Sequence, residues 1–112
     1  MTILQTPSTF INPWTRKPQE QEGDYLFAGL VYMTSGIQDA LDQHDVLAIV
    51  HDLRKSVEAS DGLDYLQVFT HKDGRKVWVI DNLSKERLES DVMTDAEKRE
   101  HNYFTLMLPE EY

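Results

Sequence analysis

The dipeptide Asp73-Gly74 constrains the fold of this chain more than any other feature. It lies between two runs rich in β-branched and aromatic residues, within LDYLQVFTHKDGRKVWVID at residues 63–81. An Asp-Gly pair between such runs is a strong signal of a β-hairpin, because both residues readily take the positive φ that a two-residue turn needs. The sequence therefore predicts two antiparallel strands joined at these two residues.

The register of that hairpin follows from the predicted turn. A two-residue turn places Phe69 opposite Trp78 and Val68 opposite Val79, on opposite faces of the sheet. Both faces are then substantially apolar. We therefore expect the hairpin to be covered on both sides or to lie at an interface.

The clearest helix is predicted for residues 45–59. Its apolar side chains recur every three or four residues and form one stripe, made of Val46, Ile49, Val50, Leu53 and Val57. Asp45 can cap the start of this helix, and Asp61-Gly62 can end it.

The remaining elements give the fold class. We predict a strand over 26–33, although the same apolar run could also begin a helix, and a short helix over 35–42 capped by Thr34 or Ser35. Two helical pieces within 82–100 and a final strand over 103–108 follow. The second helical piece starts with the capping-box spacing of Thr94 and Glu97. The prediction is an α+β fold with a small three- or four-stranded, mainly antiparallel sheet, a central β-hairpin and two to four helices, in the order β-α-α-β-β-α-β.

The chain is predicted to consist of an arm and one domain. Three prolines and no periodicity make residues 1–23 an irregular N-terminal arm, and residues 24–112 form a single compact α+β domain. Phe10, Ile11 and Trp14 form an apolar cluster in the arm that a solvated segment seldom carries. We expect them to pack back on the core or to contact a partner.

Charge and composition exclude several kinds of protein. The chain has 20 acidic and 11 basic residues, a formal net charge of −9, and no cysteine. This charge opposes direct nucleic-acid binding, which needs a basic footprint, and suits a protein partner with a basic surface. The absence of cysteine excludes disulfides and thiolate metal sites. No signal-peptide pattern or membrane-spanning run is present, so we expect a cytoplasmic protein that does not bind membranes.

Residues able to support catalysis form no recognisable set. His44 and His51 are seven residues apart, whereas histidine ligands on one helix usually lie about three or four apart. Thr34-Ser35-Gly36 could present amides to an anion, but it lacks the glycine spacing and the lysine of a phosphate loop. We therefore predict that the protein is not an enzyme and has no catalytic residues, no metal site and no cofactor.

Three segments resemble a known family when taken together. They are YMTSGI at 32–37, DYLQVF at 64–69 and TLMLPEEY at 105–112. In this order they resemble the bacterial family catalogued as domain of unknown function 960, over about residues 30–112. The chain departs from the family pattern after DYLQVF, where it turns at once through residues 71–74 in place of a longer segment. The resemblance implies a bacterial, intracellular protein and no particular activity, because none is assigned to the family.

These observations lead to three functional hypotheses. The leading one is a non-enzymatic, acidic interaction module that binds another protein and acts as a bacterial cytoplasmic accessory or regulatory protein. The first alternative is a nucleic-acid mimic that inhibits a DNA-handling defence enzyme, of the anti-restriction or anti-CRISPR type, because carboxylates can imitate phosphates. The second is a small metal-dependent hydrolase centred on His51. A homodimer through the hairpin would also explain its two apolar faces.

The residues expected to contact a partner are aromatic or acidic. They are Phe10, Trp14, Asp39, Asp42, Asp45, Trp78, Glu110, Glu111 and Tyr112. Within the last segment we also predict that Tyr112 packs back onto the domain. We predict in addition that Glu110 or Glu111 pairs with a basic side chain.

Overall fold

The computed structural model describes residues 12–18 and 22–112, which form an α+β fold as predicted. In chain order the elements are β1 (Trp14–Arg16), β2 (Leu30–Met33), α1 (Ser35–Ala40), α2 (Gln43–Ser60), β3 (Leu66–His71), β4 (Lys76–Asp81), α3 (Lys85–Glu89), α4 (Asp95–His101), β5 (Tyr103–Met107) and a 3₁₀ turn (Pro109–Glu111). The predicted order is confirmed from β2 to β5. The predicted number of three or four strands is wrong, because β1 adds a fifth.

The five strands form one mixed sheet in the order β1-β3-β4-β5-β2. Only β2 and β5 are parallel, and the other pairs are antiparallel, as in the predicted mainly antiparallel sheet. The two outer strands are therefore β1 and β2. A parallel neighbour far away in sequence cannot be recognised from local pattern, so the position of β2 was not predictable.

Strand β1 lies within the segment predicted to be an irregular arm. Its three residues pair with β3, and Trp14 is only 2% exposed. A strand of three residues between Pro13 and Pro18 is too short to show the alternation that identifies strands. Residues 14–16 thus belong to the sheet, while Phe10 and Ile11 lie outside the described residues.

The hairpin turn is longer than predicted by one residue. The His71 amide donates to the Arg75 carbonyl at 2.8 Å, which leaves a three-residue loop between them. Within this loop Gly74 has a positive φ of 98° and Asp73 does not. Three-residue hairpin loops commonly combine a type I turn with a final glycine of this kind, so the predicted two-residue turn is wrong.

The extra loop residue changes the register of the hairpin. Val68 lies opposite Trp78, and Phe69 lies opposite Val77. The predicted pairing of Phe69 with Trp78 is therefore wrong, and these two rings lie on opposite faces of the sheet. Phe69 is completely buried, whereas Trp78 is half-buried on the other face.

Helix α2 begins two residues before its predicted start. Asp42 is the N-cap, and its carboxylate accepts from the Asp45 amide at 2.9 Å while Asp45 accepts from the Asp42 amide at 3.3 Å. Asp45 is thus the third helical residue of a capping box, not the cap itself. The predicted end is confirmed, since Asp61 takes a left-handed φ of 56° and Gly62 follows with a φ of 124°.

The core lies between one face of the sheet and helices α1 and α2. Its buried apolar residues are Trp14, Phe27, Ile37, Leu41, Ala48, Ile49, Val50, Leu53, Leu63, Phe69, Val77, Val79, Phe104 and Leu106. The predicted stripe of α2 is confirmed, because all of its members are buried or pack against this cluster. The final strand contributes Phe104 and Leu106 to the same cluster, with Leu108 half-buried against the core.

Residues 26–29, predicted to begin a strand, precede β2 without joining it. Phe27 takes a φ of 48°, a conformation that is strained for a side chain of this size, and it is completely buried. Its amide donates to Asp81 Oδ2 at 2.9 Å. Burial raises the pKa of the Asp81 carboxyl, and Oδ1 has no hydrogen-bond partner among the described residues. This bond fixes the chain where it turns into β2.

Helices α3 and α4 are short and contain no buried residue. Ser84 caps the first, and Thr94 with Glu97 forms the predicted capping box of the second. Within residues 12–18 and 22–112, no helix is both long and apolar enough to cross a membrane.

Candidate protein-interaction surface

The face of the sheet opposite the core is apolar, and we call it the open face. The register places on it the side chains of Thr15, Leu30, Tyr32, Leu66, Val68, Thr70, Lys76, Trp78, Ile80, Tyr103, Thr105 and Met107. Helices α1 and α2 contribute their buried residues to the opposite face, and α3 and α4 bury none. All of the open-face side chains are half-buried or exposed.

Large side chains run across the open face from strand to strand. Val68, Trp78 and Met107 are cross-strand neighbours on β3, β4 and β5. At the β2 side, the rings of Tyr32 and Tyr103 stack with their centroids 4.5 Å apart. The result is a continuous apolar and aromatic surface over four strands.

The open face is almost free of charge although 28% of the chain is charged. Among the described strand residues on this face, Lys76 is the one charged side chain. Sheets with one solvated face usually carry polar residues on it, which gives the familiar alternation along each strand. Large exposed apolar patches on a monomer commonly mark a binding surface.

Tyr112 packs back onto the open face, as predicted. Its ring lies 5.3 Å from the ring of Trp78 in an edge-on arrangement, and it is still 69% exposed. A side-chain hydrogen bond with Tyr112, which favours the protonated phenol, is the main reason that the pKa of Tyr65 is raised. Tyr112 thus extends the aromatic surface outward.

Glu111 forms hydrogen bonds that differ from the predicted ion pair. Its Oε1 atom accepts from Thr34 Oγ1 at 2.6 Å and from the Leu108 amide at 2.8 Å. The Thr34 hydroxyl is the main group that lowers the pKa of Glu111. Neither Glu110 nor Glu111 forms an ion pair with another described residue, so the predicted pairing with a base is wrong.

The remaining predicted contact residues have different surroundings. Trp14 is buried and donates through Nε1 to Asp45 Oδ1 at 3.0 Å. It therefore packs in the core and is not accessible to a partner. The carboxylates of Asp42 and Asp45 are engaged in the capping box of α2, while Asp39 is exposed on α1. Phe10 lies outside the described residues.

The most exposed strand was not singled out by the sequence. All four residues of β2 are exposed, from Val31 at 36% to Leu30 at 61%. The run LVYM was predicted as part of a strand, but its exposure was not predictable, because apolar runs look alike whether they are covered or not. The only available signal was its lack of any charge, which is unusual for an outer strand.

Between β2 and α2 lies an apolar groove of about 580 Å³, which we call the edge groove. Its apolar lining consists of Val31, Met33, Leu41, Val46, Leu47 and Val50. Asp42 and Arg54 also line it, both from α2 or its cap. The edge groove and the open face meet along β2, whose side chains alternate between them.

The histidines considered for metal binding lie near another depression on α2. His44 and His51 line it together with Asn12 and Arg54. In the part of the chain that the structure describes, no three metal-ligating side chains come together.

Comparison with known proteins supplies no relative. No family model, no curated protein and no solved structure matches the chain. The resemblance to domain of unknown function 960 therefore stays a prediction.

Proposed function

We propose that this protein is a non-enzymatic interaction module that binds another protein through the open face. In this proposal it acts as a bacterial cytoplasmic accessory or regulatory protein. The observation that carries the proposal is the continuous apolar surface around Trp78, which no described helix covers. Burying apolar surface is favourable by about 25 cal/mol per Å², so an apolar partner surface would gain directly from this contact.

The residue types on the open face suit a protein interface. Trp and Tyr are the residues most often found as binding hot spots, because they bury much surface at little cost in side-chain entropy. Trp78, Tyr32 and Tyr103 supply such residues on three neighbouring strands. Because the sheet fixes the backbone of these three residues, binding would require little ordering of the protein.

The acidic charge of the chain indicates which residues should surround the contact patch of the partner. The chain has a net charge of −9, and among the described strand residues of the open face Lys76 is the one charged side chain. An apolar partner patch with a basic rim would be attracted by the acidic surface and then bury its centre on the sheet. The mimic hypothesis has less support, because both carboxylate oxygens of Asp45 are used within the fold, Oδ1 by Trp14 Nε1 and Oδ2 by the Asp42 amide.

The test is capture of partners by the full chain from a lysate of the organism that encodes it. Trp78→Thr combined with Tyr32→Thr removes two large rings and keeps residues that favour strands. We expect the double variant to fold and to lose the partner, and Asp39→Asn, a matched surface change, to keep it. Retention of the partner by the folded double variant would contradict the proposal, and loss with Asp39→Asn would favour the mimic.

A further inference from the structure

The outer edge of β2 has backbone groups that form no hydrogen bond with the other described residues. The amides of Leu30 and Thr34 donate to carbonyls on the β5 side at 3.1 and 3.2 Å. In a parallel pair, alternate residues direct both backbone groups to the same neighbour. Leu30, Tyr32 and Thr34 therefore face β5, whereas the N–H and C=O groups of Val31 and Met33 point away from the sheet.

Within the described part of the chain, this edge lacks the usual protection against pairing with another strand. Outer strands commonly carry a charge, a proline or a bulge, or they are covered by a loop. The four residues of β2 contain no charge and no proline, are all exposed, and pair with β5 in continuous register. The flanking Gly29 and Thr34 are uncharged as well.

The edge groove provides space for side chains of an added strand. Val31 and Met33 share the face of the sheet that α2 packs on, and they form one wall of the groove. Val46 and Val50 are among the apolar residues of the opposite wall, with Leu47 at the rim, 55% exposed. Every second side chain of an added strand would enter this groove.

The two ends of the groove have opposite charge. Asp42 and Arg54 are twelve positions apart, or about 18 Å along α2, a length covered by about six extended residues. Arg54 also lines a depression beside residues 26–28, which places it toward the start of β2. Arg54 forms no ion pair with the described residues.

We propose that β2 accepts an extended segment of the partner as a sixth strand of the sheet. The segment is about six or seven residues long, with aliphatic side chains at alternate positions, a base at the Asp42 end and an acid at the Arg54 end. This rests on the proposed function and names the chemistry of the partner. Backbone hydrogen bonds give affinity in this mode, and the groove gives specificity.

A second copy of this chain fits the edge less well. Its β2 is flanked by uncharged residues and would leave both Asp42 and Arg54 without an opposite charge. Each copy also carries a net charge of −9, which disfavours association of two acidic molecules.

The test uses the peptide Lys-Thr-Val-Thr-Val-Thr-Glu with blocked ends, titrated into the full chain and followed by NMR. We expect shifts at the Val31 and Met33 amides. Met33→Pro removes an outward N–H without breaking the ladder to β5, and it should weaken binding at least tenfold. Leu47→Asp places a charge in the edge groove from the α2 side and leaves β2 unchanged. It should weaken binding to a similar extent. The same peptide with Lys and Glu exchanged should bind more weakly.

Several results would overturn this inference. One is no shift at about 1 mM peptide. Another is equal binding after N-methylation of the peptide residues that face β2. Slow hydrogen exchange of the Val31 and Met33 amides in the free chain would mean that this edge is already paired, by the chain itself or by a second copy. Shifts at Trp78 with none at β2 would overturn strand addition while leaving the proposed function intact.

Discussion

Thr34 Oγ1 donates a 2.6 Å hydrogen bond to Glu111 Oε1 and so joins the start of α1 to the 3₁₀ turn after β5. The same hydroxyl accepts from the Ile37 amide as the N-cap of α1. The Gly36 backbone lies so close that an added Cβ would be 2.7 Å from the Glu111 carboxylate. The last turn of the chain is therefore held beside β2, and Tyr112 is directed onto the open face.

The Thr34–Glu111 bond should make stability depend on pH. The folded pKa of Glu111 is lowered, so its stabilising effect is full above the ordinary glutamate pKa and is lost as the pH falls through the lowered value. We expect Glu111→Gln to lower the melting temperature at pH 7 and to match the unsubstituted chain in strong acid. Glu110→Gln is the matched control and should change little. An equal effect of Glu111→Gln at every pH would contradict this role.

Asp81 should give a pH dependence of opposite sign. Burial raises its folded pKa, so the native state holds a proton that the unfolded chain releases, and stability falls as the pH rises toward the folded value. Asp81→Asn removes this titration and keeps an acceptor for the Phe27 amide. We expect its free energy of unfolding, relative to the unsubstituted chain, to increase from pH 4 to pH 7 in urea titrations. A constant difference would show that Asp81 does not titrate as described.

The difference in burial between the two faces of the hairpin can be tested by two alanine substitutions. Phe69 is completely buried, so Phe69→Ala should lower the free energy of unfolding by about 3–5 kcal/mol. Val68→Ala, on the open face, should cost about 1 kcal/mol. Urea denaturation of both variants measures the difference. Similar losses would mean that the two faces of the hairpin are equally buried and would contradict an open face.

The hydrogen bond between Trp14 and Asp45 should contribute to stability. Trp14→Phe keeps an aromatic ring in the core and removes the Nε1 donor, so we expect a loss of about 1–2 kcal/mol in the free energy of unfolding. Asp39→Asn, an exposed change on α1, serves as the control. No loss with Trp14→Phe would show that the bond adds nothing to the packing of the ring.

Local sequence patterns predicted the secondary structure correctly where a segment's structure depends on its own residues. The stripe of α2, the capping box at Thr94 and the alternation of β5 all follow from neighbouring residues. The faces of the hairpin were not predictable, because one extra loop residue moves every side chain of β4 to the other side. The open face was foreseen only in part, as an apolar hairpin that would be covered or lie at an interface. The exposed edge of β2 depends on a distant neighbour, β5, and was missed.

Hydroxyl-radical footprinting of the full chain with a captured partner tests the central claim most directly, because oxidation of Trp, Tyr and Met reports their exposure. The account predicts that Trp78, Tyr32 and Tyr103 become protected in the complex. Met93, in the loop between α3 and α4, should be oxidised as before. Protection confined to that loop, with Trp78 and Tyr32 unchanged, would contradict binding through the open face.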